Sequence, residues 1–138
     1  MKDGNPIPTL IKLIYNRMIL KKDIIIALSK RLSLPYTGTE QDWDIEMADS
    51  SRINEFIDLY HEYDLAFEER MTLMSLIVAS YDDYLNEYDV SVDYRWDRIR
   101  AMLSKDKRYF VELIDYWSLD NEHDEDHIFK ITPLMRTV

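Results

Sequence analysis

Two glycines in a chain of 138 residues limit this sequence more than any other feature. Ordinary proteins carry about 7% glycine, the residue that supplies the backbone freedom tight turns require. With only Gly4 and Gly38, the chain is a poor match to folds that need many such turns. The same scarcity argues against the glycine-rich loops that cradle phosphates in Rossmann and P-loop domains. Cysteine is absent altogether, which removes disulfides, Cys-ligated zinc, thiol nucleophiles and Cys-bound clusters. Yet 46% of the residues are hydrophobic and 32% charged, a balance that folds rather than staying disordered. The length suits one domain able to bury about two thirds of its unfolded surface. A soluble, helical, acidic domain is what remains.

The net charge of −10 is unevenly spread. Residues 1–33 hold seven basic groups and two acids, leaving ten basic groups and 25 acids for residues 34–138. The chain is therefore +5 at its start and −15 beyond it, and the simplest reading lays a basic helix across an acidic body. A charge of this sign disfavours both nucleic acid and anionic membrane as partners. The longest strongly apolar run, Ile24–Leu28, is five residues against the roughly 20 needed to span a bilayer. Lys12, Asn16 and Arg17 interrupt the early apolar residues, and no small-residue cleavage pattern follows, so a cytoplasmic location is expected.

Spacings of three and four define the helices. Leu10, Leu13, Ile14, Met18, Ile25 and Leu28 predict a basic, apolar helix within residues 1–34, beginning near Thr9 with a break near Lys21–Asp23, and Pro35 ends it. Residues 35–50 form a loop, with Trp43 and Ile45 as anchors. An acidic helical body spans 51–119. Its first helix, capped by Asp49, Ser50 or Ser51, buries Ile53, Phe56, Ile57 and Tyr60. Its second, the clearest, runs from about Leu65 to Tyr88 and breaks at Asp89–Ser91. A third over 92–104 presents Trp96, Ile99, Met102 and Leu103 inward and Arg95, Arg98 and Arg100 outward; Asp106 caps a fourth that carries Phe110, Leu113, Ile114 and Trp117. Residues 120–138 form an acidic loop and an extended tail. The expectation is an all-α, single-domain bundle of about five helices with an extended C-terminal tail.

Catalytic and metal chemistry find little support. Di-metal bundles use inward Glu residues and Glu-x-x-His pairs. Asp58 with His61, extended by Glu55, and Asp124 with His127 carry Asp instead, on a helix with an apolar inner face and in a loop. The stretch Asp120–His127 crowds five carboxylates and two imidazoles together but lacks the glycine and terminal Glu of a calcium loop. No serine elbow accompanies His61, and Glu68/Glu69 or Asp82/Asp83, adjacent on a helix, diverge by about 100°. No catalytic residue, metal ligand or cofactor is assigned.

The remaining signal is protein recognition. Ten tyrosines and three tryptophans are many for this length, and the tyrosines are interleaved with carboxylates. Tyr brings contact area with few rotors and a polar tip, while a surrounding acidic field attracts a basic partner. More than half of these tyrosines are expected to seal the rim of the core. The face chosen is Tyr81, Asp82, Asp83, Tyr84, Glu87, Tyr88, Asp89 and Asp93. The leading expectation is a non-enzymatic, acidic protein-binding module. Its most concrete form is an immunity-type inhibitor that neutralises a basic toxin or nuclease by occluding its active site. The alternative is a structural or regulatory protein that self-associates as a homodimer through the N-terminal helix, and a metal protein using His61, Asp58 and Glu55 ranks third.

Overall fold

The apolar centre of the sequence becomes the axis of the fold. In the computed structural model, residues 20–138 are described, and the 22-residue helix Phe67–Tyr88 is buried on every side from Thr72 to Asp82. At 1.5 Å per residue it is about 33 Å long. A helix apolar around most of its circumference must be covered on all faces, and here it is. Around it stand α1 (Lys22–Arg31), α2 (Trp43–Glu46) and α3 (Ile53–Tyr60), all packed on the central α4 (Phe67–Tyr88), followed by α5 (Arg95–Lys105), α6 (Val111–Ser118) and α7 (Thr132–Met135). Two of these seven are single turns, so among the described residues five longer helices build an all-α bundle, the fold class that the periodicity predicts. Ser75, Ala79 and Ser80 keep α4 narrow where neighbours approach, and Ser80 Oγ accepts the Asp49 N–H at 3.0 Å.

The junctions follow from local chemistry. Of the helix expected from Thr9, residues 9–19 lie outside the described residues. The described part starts after Lys21, whose extended backbone (φ −69°, ψ 136°) falls within the predicted break. Its end is closed by Ser33 in the left-handed region (φ 53°), with Leu34 N–H bonded to Ser29 O at 2.8 Å and Ser33 N–H to Lys30 O at 3.2 Å. Residues 35–50 are not wholly loop, because α2 interrupts them. That turn sets Trp43 and Met47 on one buried face and rotates Ile45 outward, so Ile45 is exposed and Met47 is the second anchor. Trp43 Nε1–H donates to the buried Ser29 Oγ at 2.9 Å. Asp49 accepts the Ser51 N–H at 2.9 Å and so caps the 3-10 turn Ser50–Arg52 that leads into α3, not α3 itself, which follows Arg52 with no side-chain cap.

Two expectations are corrected in the second half of the chain. Asp106 does not cap α6: it ends α5, and a 3-10 turn over Lys107–Tyr109 carries the start of α6 beyond its reach. Its carboxylate instead lies 3.5 Å from the Tyr60 hydroxyl. The C-terminal tail packs on the helices but is not extended throughout, since Thr132–Met135 makes a helical turn. Pro133 sits in the first turn, where its missing N–H is not needed. Ile131 and Met135 are fully buried, Thr132 Oγ donates to Trp117 O at 2.8 Å, and Arg136 reaches Ser118 O, Leu119 O and Glu122 O at 2.7–2.8 Å. Among the described residues no helix is long and apolar enough to cross a membrane.

Candidate partner-binding face

The eight residues selected from the sequence come from the C-terminal half of α4 and the segment after it, and the structure divides them by exposure. Tyr81 is fully buried. Its ring lies between Tyr84 (6.1 Å) and Trp96 (6.2 Å), and its hydroxyl donates to Asp93 Oδ1 and accepts the Asp93 N–H, both at 2.9 Å. Burial pushes its phenol well above the ordinary value. Asp82 is buried too, where Oδ1 accepts the Ile131 N–H at 2.9 Å; burial, then Asp83, raises its pKa. Neither residue can touch a partner. The sequence offers both as surface groups because a helix covered on all sides carries no polar stripe to separate inner from outer positions.

Asp93 and Asp89 are also engaged within the chain. Asp93 is half-buried and ion-paired with Arg95, while Asp89 pairs with Lys130 at 2.8 Å, which holds its carboxyl below the ordinary range. Arg95 was expected to point outward. Instead its guanidinium lies 4.6 Å from the Tyr84 ring centre and 4.7 Å from that of Tyr94, drawn in by Asp93 and two aromatic faces.

Four residues of the eight are exposed, Asp83, Glu87, Tyr88 and Asp89, and of these Asp89 is already held by Lys130. Asp83 and Glu87 stand one turn apart on α4, and neither forms an ion pair among the described residues. Partial burial, then the charge of Glu87, raises the Asp83 pKa. Glu87 accepts a hydrogen bond from Ser50 Oγ at 3.1 Å, and its bond to the Tyr88 hydroxyl raises that phenol's pKa. Tyr88 is 58% exposed, with its ring 4.7 Å from that of Tyr84. The face is thus two repelling carboxylates, one of them oriented by Ser50, beside an accessible aromatic ring.

Other residues considered from the sequence are not assembled into a site. Asp58 is ion-paired with Arg98 at 3.5 Å and Glu55 with Arg52, leaving His61 exposed at the end of α3. His127 Nδ1 lies 3.5 Å from Asp124 and 3.9 Å from Glu122. Among the described residues no group of three or more such side chains is placed to hold a metal ion. Of the helix expected to form a homodimer surface, residues 9–19 lie outside the described ones; in the described part Ile25 and Leu28 are buried within the chain and Ile26 is exposed. Sequence reasoning missed Ser50, which no spacing rule links to Glu87, and an apolar patch at the opposite end of α4. There Phe67 meets Tyr109 edge-on at 4.9 Å, with Val111 exposed nearby, beside a groove of about 380 Å³ lined by Met71 and Leu113. Comparison with known proteins finds no matching family model, no matching curated protein and no matching solved structure.

Proposed function

We propose that the chain is a non-enzymatic binding protein that takes a basic protein partner on the face formed by Asp83, Glu87 and Tyr88, with the rim of Tyr84 beside them. One observation carries this reading: Asp83 and Glu87 repel each other one turn apart on the same helix, and neither has an ion-pair partner among the described residues. Elsewhere Asp58, Asp64, Asp89 and Asp93 each have an arginine or lysine of the chain's own. A partner's cation brought between Asp83 and Glu87 relieves their repulsion, and the exposed ring adds contact area with few rotors. The surrounding negative field raises the encounter rate. The concrete form we favour is an immunity-type inhibitor acting in the cytoplasm, which covers the cationic substrate site of a toxin or nuclease.

The test is co-purification from the native host at low salt, with elution by a salt step. The Asp83→Asn/Glu87→Gln variant should hold the recovered basic protein about tenfold more weakly than the wild type, as expected for losing two charge contacts of up to about 1 kcal/mol each. Failure to recover any basic protein, or recovery undiminished by the double variant, refutes the proposal.

A further inference from the structure

The aromatic residues of α4 form a ladder from core to surface. Trp96 stacks on Tyr81, Tyr81 on Tyr84, and Tyr84 contacts Tyr88, with ring centres 6.2, 6.1 and 4.7 Å apart. Exposure rises along it, from fully buried at Tyr81, through half-buried at Tyr84, to 58% at Tyr88. The rung at Tyr84 already holds a cation. Arg95 lies over that ring at 4.6 Å and over Tyr94 at 4.7 Å while ion-paired with Asp93, so a guanidinium is gripped between aromatic faces and a carboxylate. The next rung repeats the ingredients with no cation over its ring: an exposed ring at Tyr88, the carboxylate of Glu87 oriented by Ser50, and Asp83 one turn earlier, while Arg95 nearby is committed to Asp93 and the Tyr84 and Tyr94 rings.

We infer that this outer rung selects an arginine of the partner rather than a lysine. The inference rests on the reading of the acidic face given above and names the group that the face takes. A guanidinium is planar and weakly hydrated. It stacks on the Tyr88 ring while its edge donates to Glu87 or Asp83. An ammonium is compact and strongly hydrated, and it gains the charge attraction without the stacking. The chain's own habits agree: the arginine at each of positions 52, 70, 95 and 108 lies over an aromatic ring within 5.6 Å.

The experiment titrates the isotope-labelled full chain with two peptides, identical except that three arginines in one replace three lysines in the other, and follows the backbone amides of residues 83–89 by NMR. The arginine peptide should bind about two- to fivefold more tightly, the range an exposed cation–aromatic contact supplies. That ratio should fall to one in Tyr88→Leu, which keeps a helix-compatible apolar side chain at an exposed position, with an unchanged circular dichroism spectrum as the folding control. Equal binding of the two peptides, both weakened by Asp83→Asn/Glu87→Gln, overturns the arginine inference and leaves the acidic face standing. A ratio that persists in Tyr88→Leu also overturns it, because the preference then arises elsewhere. No shift at residues 83–89 with either peptide, or shifts unaffected by the double variant, overturns the acidic face itself.

Discussion

Asp82 separates a fold-holding carboxylate from a partner-binding one, and two substitutions measure the difference. Its Oδ1 is the acceptor for the amide of the fully buried Ile131, which ties the C-terminal segment to the central helix. Asp82→Ala leaves that N–H without a partner in a dry site, a loss of about 1–3 kcal/mol, and opens a small void besides. Asp82→Asn keeps an oxygen in place and removes the buried charge, so at pH 7 it should lie within about 1 kcal/mol of wild type, on the stabilising side. The long Asn86 contact at 3.4 Å contributes little to either change. The pH dependence has a definite sign. Burial raises the native pKa of Asp82 above its ordinary value of 3.8, so the native state holds this proton more tightly than the unfolded chain. The group's contribution is therefore full below 3.8 and is lost as pH rises through the raised native value. Urea unfolding of both proteins across this window should show Asp82→Asn gaining on wild type as pH rises, with all other carboxylates common to the comparison. If Asp82→Asn falls with Asp82→Ala, more than about 2 kcal/mol below wild type at pH 7, the reasoning fails, because the charge itself would then be holding the segment.

Two further outcomes follow from single contacts. Ser33→Gly relieves a left-handed residue at the end of α1 and should stabilise the chain by up to about 1 kcal/mol, read as a higher urea midpoint with an unchanged slope. Arg136→Ala removes the donor that satisfies the carbonyls of Ser118, Leu119 and Glu122; a loss of about 2–3 kcal/mol is expected, with faster amide exchange concentrated in residues 119–138.

The parts of this fold legible in the sequence are those with a strong period. Ile53, Phe56, Ile57 and Tyr60, or Trp96, Ile99, Met102 and Leu103, mark one face each and are buried as spaced. The bulk of α4 was legible as a helix, but its surroundings were not: with Tyr81 and Asp82 adjacent and both buried, period alone could not distinguish Asp82 from Asp83. Only the C-terminal segment does so, through the Ile131 amide 49 residues away. Arg95 was misread for a similar reason. The 3.6-residue period places it on the outer side of α5, but Tyr84 lies on another helix, and no local spacing reports a partner on a different element. The one-turn helices α2 and α7 are too short to show a period at all.

The scarcity of glycine also shapes the candidate face. Helices commonly end on a left-handed glycine, and this chain uses Ser33, Asp89 and Leu119 there instead. At Asp89 (φ 50°) the reversal returns Val90 N–H to Leu85 O at 3.1 Å and sends residues 90–95 back along α4. Asp93 then meets the Tyr81 hydroxyl, and Arg95 covers Tyr84. The C-terminal segment closes another side through Asp82, and the Ser50 turn reaches Glu87 from a third. Each contact removes a side chain from the candidate surface or orients one on it. The returning segment and the tail cover Tyr81, Tyr84 and Asp82, while Asp83 and Tyr88 stay exposed. A non-glycine stop thus leaves a carboxylate at Asp89 that pairs with Lys130, and the exposed carboxylates of this helix end without an ion pair among the described residues are Asp83 and Glu87.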